Sequence, residues 1–312
     1  MEGYHVPVLA EEVISALRVT SGGIYLDGTL GGGGHTGLIL RGGGNVVALD
    51  KDSDAIAYAS ARLGAVPEFR GRYNIIKSDF KACKTVLAEA GIGEIDGALL
   101  DLGISSHQVD EAERGFSYRF DGALDMRMDR SGNFTAADVV NGYDEERLAK
   151  IFFEYGEERF ARRIAKAIVV SRRVKPILTT GELADIVKAA VPYSTNGHPA
   201  KKTFQAIRIE VNGELDGLGD AVNDIVSLLK PGARICVITF HSLEDRIVKQ
   251  TLARLATDCL CDKSLPFCVC GHKAEVKLIG KSKPTEAELK MNPRAASATL
   301  RVAEKLPVNK MR

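Results

Sequence analysis

No stretch of this chain is apolar for long enough to cross a membrane, which takes about 20 residues. The opening residues, Met1-Glu2-Gly3-Tyr4-His5-Val6-Pro7, lack both the basic flank and the apolar run of a secretory signal, so a cytoplasmic protein is expected. Neither sign of charge is in excess. With 42 Lys and Arg against 41 Asp and Glu, the net charge of +1 says nothing about nucleic acid, and only clustering of charge can. Cysteine is scarce, six in 312 residues. Cys83 sits in a helical stretch and Cys236 in an apolar run, where small buried thiols are ordinary. The other four, Cys259, Cys261, Cys268 and Cys270, make two C-x-C pairs with His272 just beyond. The C-x-x-C spacing usual for zinc is missing, and a reducing compartment disfavours disulfides. A zinc that fastens a loop stays open at this point, and no metal ligand is assigned.

What is present fits a globular protein. The chain is 45% hydrophobic and 27% charged, enough for one large or two ordinary domains. A chain of this size buries about three quarters of its unfolded surface. Its organising stretch runs from Ile24 to Asp50. Ile24-Tyr25-Leu26-Asp27 reads as a short buried strand, Gly28-Thr29-Leu30-Gly31-Gly32-Gly33-Gly34-His35 as a glycine-rich turn, and Val46 to Asp50 as a second strand closing on an acid. An acid about 20 residues past such a turn can accept hydrogen bonds from both hydroxyls of a ribose. A nucleoside-bearing cofactor is implied. Asp27, placed before the glycines, would repel a pyrophosphate but suit a ligand carrying an ammonium and a sulfonium. S-adenosylmethionine is therefore preferred over NAD.

Further along, Asn74 to Lys77 and Ile95 to Asp101 read as strands, with Asp79 and Phe80 placed to bond and stack on an adenine. The strand ends thus carry an acid or stand beside one, along one edge of a parallel sheet. The alternation breaks from about Asp110 to Gly197, where three helical stretches are expected: Asp144 to Tyr155, Glu157 to Val174 and Thr180 to Val191. Helices at Phe204 to Val211 and Leu215 to Leu229 follow. The strand Arg234 to Phe240, the helix Leu243 to Leu255, and strands at Val276 to Ile279 and Ala298 to Ala303 close the chain. The expected fold is α/β, a Rossmann-like sheet interrupted by an all-helical insertion. Its parts are 1–110 and 199–312 for the sheet domain and 111–198 for the insertion, a candidate RNA-recognition domain. Inside the insertion Arg159, Arg162, Arg163, Lys166, Arg172, Arg173 and Lys175 occur with no acid among them. A solvated helix face explains such a run; beside a nucleoside-cofactor site it also reads as a phosphate-contacting surface. Lys273, Lys277, Lys281 and Lys283 form a second basic group.

The chain resembles the bacterial ribosomal RNA small subunit methyltransferase H family (older name MraW) over essentially its whole length. The resemblance rests on His5-Val6-Pro7-Val8-Leu9, Asp27 to His35, Leu100-Asp101-Leu102-Gly103-Ile104-Ser105-Ser106, Glu113 to Ser117 and Leu124 to Asp129. It continues through Tyr155 to Ala161, Thr203 to Ile209, Phe240 to Arg246 and Asn292 to Ala295, all in the expected order. It implies a class I S-adenosylmethionine-dependent fold and transfer of a methyl group to the exocyclic N4 amine of a cytidine in 16S rRNA, near the ribosomal P site. By motif, the cofactor contacts would fall on Gly33, Gly34, His35, Asp50, Phe80, Asp101 and Gln108. Arg159, Arg162 and Arg163 are the candidate RNA contacts, and the small ribosomal subunit is the expected partner.

A cytosine amine is a poor nucleophile because its lone pair is delocalised into the ring. An acceptor on its N–H helps it pyramidalise, and Asp101 stands where amine-directed enzymes place such an Asp or Asn. Here Leu102-Gly103-Ile104 follows instead of two prolines and an aromatic, so stacking must come from elsewhere, with Phe116, Tyr118 and Phe240 as candidates. His241 could take the departing proton, or simply hold the entry of a helix. Methylation of DNA or a small molecule, a non-catalytic RNA-binding assembly factor and an NAD dehydrogenase are the competing readings.

Overall fold

The computed structural model describes residues 7–192, 197–262, 265 and 267–307. His5 and Val6 of the N-terminal motif lie outside the described residues. Two compact units are present: one holds the chain up to Gly103 and again from Gly217, the other is Ile104–Asp216.

The first unit opens with α1 (Ala10–Leu17), β1 (Ile24–Asp27), α2 (Gly34–Arg41), β2 (Asn45–Asp50), α3 (Ser53–Gly64), β3 (Tyr73–Lys77), α4 (Cys83–Glu89) and β4 (Ile95–Asp101). The second unit follows with α5 (Ser106–Asp110), α6 (Ala136–Gly142), α7 (Glu145–Glu154), α8 (Ala161–Arg172), α9 (Thr180–Ala190) and α10 (Lys201–Asn212). The first then resumes with α11 (Leu218–Leu228), β5 (Leu229–Thr239), α12 (Ser242–Leu255), β6 (Val276–Ser282), α13 (Glu286–Met291) and β7 (Thr299–Lys305). Gly232 takes φ +83 inside β5, and the pairing with β4 shifts register between Ile95 and Gly97. Lys230-Pro231-Gly232 thus forms an irregularity within one long strand, which begins at Leu229, ahead of the Arg234 start expected from sequence.

The seven strands lie in the order β3-β2-β1-β4-β5-β7-β6. The first five run parallel, while β7 is antiparallel to both β5 and β6. This is a Rossmann-like sheet covered on both faces. Alternation along each strand divides its side chains between two cores. Leu26, Leu100, Ile235 and Val237 pack with Leu87 of α4, Val222 of α11 and Val248 of α12. Tyr25, Leu99, Cys236 and Ile238 pack with Val13 of α1, Leu40 of α2 and Leu63 of α3. Strand order reverses between β1 and β4, and a crevice forms beyond the carboxyl ends of strands at such a reversal.

The second unit is helical around its own core, with Val139, Phe152, Ile164, Ile168, Leu183, Phe204 and Ile207 buried together. Its only described strand-like pairing is the isolated bridge of Ala123 with Thr179. The helix α10 shares that core through Phe204 and Ile207, so the compact unit begins and ends outside the 111–198 interval drawn from sequence. Helix α6 had no counterpart among the three helices expected there. It is seven residues long, and a reciprocal cap between Thr135 and Asp138 starts it.

Candidate active site

β1 ends at Asp27, paired with Leu99 of β4, and β2 ends at Asp50, beside Lys77 of β3. β4 ends at Asp101, beside Ile238 of β5. Parallel pairing therefore brings three carboxylates to one edge of the sheet, as the sequence pattern implied. Their environments differ.

Asp27 is fully buried and turned inward. Its Oδ1 accepts from the Thr29 N–H at 3.2 Å and its Oδ2 from the Thr36 hydroxyl at 2.6 Å. It ties the glycine turn to the first turn of α2 rather than facing a ligand, and a carboxylate there complements the positive end of the helix. Burial, with a smaller push from Asp50, raises its pKa to about 6. Thr29 does a second job, because its hydroxyl accepts from the Asp101 N–H at 2.6 Å. Through Thr29 the ends of β1 and β4 are latched across the strand reversal. Neither threonine stood out in the sequence.

Asp50 accepts the Gly31 N–H on Oδ2 at 2.8 Å and the Asp52 N–H on Oδ1 at 2.9 Å. Each oxygen keeps a second lone pair, so the acid holds the turn and can still receive two hydroxyls. Burial raises its pKa, against those two backbone hydrogen bonds.

Asp101 is the open member. Its side chain is 23% exposed, yet its Oδ1 is buried with no hydrogen-bond partner among the described residues. Its Oδ2 stands 3.7 Å from His35 Nε2, which α2 presents from the other side of the turn. Burial first, then the charges of Asp27 and Glu244, pushes its pKa up to about 8. A carboxylate oxygen left without a partner is costly, by about 1–3 kcal/mol for a buried group. A cation or N–H donor arriving there would remove that cost.

The glycines divide by what lies beside them. Gly33 takes φ +71, and a Cβ on it would sit 3.2 Å from the Ala59 Cβ. A Cβ on Gly34 would sit 2.9 Å from Pro7, and one on Gly28 would run into Leu100 at 2.5 Å. These three are glycine because protein packs against them. Gly31, at φ +49, has open space where its side chain would be, with nothing nearer than Thr29 O at 3.9 Å. It is the member of the turn that a ligand could approach. Phe80 starts a short turn after β3 and comes close to Gly28. Asp79 caps that turn through the Lys81 N–H and lies 3.5 Å from the Lys51 ammonium.

His241 enters α12 as its N-cap, its Nδ1 accepting from the Glu244 N–H at 3.5 Å. Its Nε2 lies 3.1 Å from Glu244 Oε1, an ion-pair distance without hydrogen-bond alignment. Glu244 is itself 2% exposed and accepts the Phe240 N–H at 3.0 Å. The His241 side chain is 7% exposed, and its role at the helix entry is the one the geometry supports. Glu244 was missed in the sequence, although a cap residue followed three positions later by Glu is a readable helix-start signal.

Gln108 belongs to the helical unit, where it forms a reciprocal cap with Ser105. Arg159, Arg162 and Arg163 belong there too, all exposed at the start of α8 and without an ion pair among the described residues. Arg159 stacks 4.7 Å over the Phe160 ring. The rest of that basic run is partly occupied: Arg172 donates to Val140 O at 2.6 Å, and Lys175 pairs with Glu182 at 2.7 Å. Of the second basic group, Lys277 and Lys281 fall on β6, an edge strand, where lysines also deter pairing with other chains.

Residues 2–306 match the MraW methylase family. A ribosomal RNA small subunit methyltransferase H from Carboxydothermus hydrogenoformans is 51% identical over 311 residues, covering 98% of this chain and 99% of the relative. Proteins of that name from Brevibacillus brevis and Clostridioides difficile are each 49% identical, over 97% and 98% of this chain and 98% and 100% of their own. This chain belongs to the MraW methylase family. As a MraW methylase it is a methyltransferase whose methyl donor is S-adenosylmethionine. Among solved structures, an rRNA methylase from Streptococcus thermophilus matches at a TM-score of 0.43 and 11% identity, over 98% of this chain and all of that one, too distant to bear on the site.

Proposed function

We propose that this MraW methylase transfers a methyl group from S-adenosylmethionine to the exocyclic N4 amine of a cytidine in 16S rRNA, near the ribosomal P site. Ribosomal RNA as substrate is supported by relatives named ribosomal RNA small subunit methyltransferase at about half identity over nearly the full chain. The cytidine amine and its position rest on the family resemblance of the motifs. Work in the cytoplasm on the small subunit or its RNA follows from that substrate.

One observation supports the chemistry most directly: the buried, unpartnered Oδ1 of Asp101 at the strand reversal. The site fits a cationic nucleoside donor, since burial holds Asp101 well above the ordinary carboxylate range and a cation beside its unpartnered oxygen restores the charge. S-adenosylmethionine, when bound, supplies an activated methyl group on a positively charged sulfur. Asp50 would hold the ribose through its spare lone pairs. The backbone at Gly31 would lie against the donor, and Phe80 would cover the adenine. Asp101 would accept an N–H of the cytosine amine and steady the positive charge that grows on nitrogen. His35, close to Asp101 Oδ2, would orient that carboxylate. His241 is a positioning residue here, fixing Glu244 at the entry of α12, and no dedicated base is needed for a methylated ammonium to lose its proton. Gln108 is kept as a cofactor contact on the motif alone. Arg159, Arg162 and Arg163 would contact RNA phosphates on the helical unit, with the target base splayed from any duplex.

The test is transfer of labelled methyl from S-adenosylmethionine to small-subunit RNA from a strain lacking the enzyme. Labelled RNA is expected, with Asp101→Asn slower by roughly 10²-fold or more. Cofactor binding without transfer to any ribosomal RNA would support an assembly factor instead, and labelling of free DNA alone would support a DNA methyltransferase.

A further inference from the structure

Between α12 and β6, from Ala256 to Glu275, no described residue belongs to a helix or strand, and none from Thr257 to Glu275 is buried. A connection of that length normally needs something to hold it. Apolar packing does not: Leu260, Phe267 and Val269 are 46%, 71% and 68% exposed. What converges instead is sulfur. The thiols of Cys259, Cys261, Cys268 and Cys270 all lie within 4.8 Å of one another. Cys261 to Cys268 is 4.0 Å, Cys268 to Cys270 is 3.6 Å and Cys270 to Cys259 is 3.9 Å. Four sulfurs each about 2.3 Å from one central zinc stand about 3.8 Å apart at the corners of a tetrahedron. The observed separations bracket that edge. They are nearly twice a disulfide bond of about 2.05 Å.

Backbone donors point at the same atoms. The Leu260 N–H donates to Cys270 Sγ at 3.4 Å, and the Val269 N–H to Cys261 Sγ at 3.3 Å, so the middle residue of each C-x-C pair reaches a sulfur of the other pair. Such hydrogen bonds favour thiolate over thiol and orient a ligand sulfur. His272 is not a fifth ligand, because its Nε2 lies 3.2 Å from Arg254 O.

We propose that Cys259, Cys261, Cys268 and Cys270 bind one structural Zn²⁺ as a tetrathiolate, closing the Ala256–Glu275 connection into a knuckle. Four protein ligands leave no position for substrate, so the metal holds shape and takes no part in methyl transfer. The sulfurs turn inward around the ion while Leu260 and Val269 turn out, which explains apolar side chains left in solvent between ligand cysteines. Binding requires loss of the thiol protons, so affinity falls as pH drops.

Metal content of the full-length chain, purified under reducing conditions, tests this. About one zinc per chain is expected by elemental mass spectrometry. The Cys261→Ser/Cys268→Ser variant should lose it, while Cys83→Ser keeps it, with circular dichroism checking that each folds. Cobalt replacement in the unaltered protein should give the charge-transfer and visible bands of a tetrahedral tetrathiolate. In the native protein Cys259, Cys268 and Cys270, exposed as they are, and the half-buried Cys261 should resist alkylation until a chelator is added, and the chelator should then open the connection to proteolysis. Any of four results would overturn the assignment: no zinc with no cobalt spectrum, zinc retained by the double variant, iron in place of zinc, or immediate alkylation of the four thiols.

Discussion

Asp50 fixes the Gly31 and Asp52 amides, and in the proposed site its remaining lone pairs also receive the ribose. Asp50→Ala is therefore expected to weaken S-adenosylmethionine binding by about 1–3 kcal/mol, the scale of a lost partner for a buried polar group. Calorimetry giving unchanged affinity would remove the ribose role. The raised acids also fix a pH dependence. Asp27 and Asp101 move from 3.8 to about 6 and about 8, so the folded ligand-free chain binds more protons than the unfolded chain across that range. Their contribution to stability is fully present below about pH 4 and is lost as pH rises through about 6 and then about 8. Binding of a cation runs the other way. It draws Asp101 into its charged form and releases its proton, so affinity should climb between about pH 6 and 8, by no more than about tenfold per pH unit. Titrations in buffers of different ionisation enthalpy check this, and flat affinity over that interval would contradict it.

Helix α8 buries Ile164, Ala165 and Ile168 and leaves Arg162, Arg163 and Lys166 in water. Charge reversal at Arg162 and Arg163 should lower RNA affinity and flatten its salt dependence while sparing cofactor binding. On single-stranded RNA the slope should fall by about 0.7 for each phosphate that is no longer neutralised. An unaltered slope would return that face to plain solvation. The strands that end on the site acids are the most legible part of the fold, whereas β5 begins at Leu229, ahead of the expected Arg234, and β6 runs on to Ser282, past the expected Ile279. Ile95 to Asp101 and Val46 to Asp50 are apolar runs ending on acids, and both ends were read within a residue. Short elements were not: α6 and α13, at seven and six residues, are too brief for a helical period and depend on caps. At the site, sequence marked the acids but not their directions. Asp27 looked like the acid to meet a cationic ligand, and it faces inward because Thr29 and Thr36, two and nine residues away, satisfy it. The spare oxygen belongs to Asp101, a fact fixed only by folding. Likewise Gly28, Gly33 and Gly34 answer to Leu100, Ala59 and Pro7, neighbours that no local pattern reveals.

For the whole molecule, near-zero net charge and a discontinuous sheet unit mean that function is set by placement, not by bulk composition. A carboxylate cluster at the strand reversal suits a cationic methyl donor, and a separate helical unit displays exposed arginines at the start of α8. Together they support methylation of one exposed base in a folded RNA. The decisive measurement is mass mapping of methylated nucleotides in 16S rRNA from cells with and without the gene. N4-methylated cytidine at a single position near the P site, present with the gene, absent without it and restored by purified enzyme with S-adenosylmethionine, is the expected result. An unchanged methylation map, or a lost mark that is not on a cytidine amine, would contradict it.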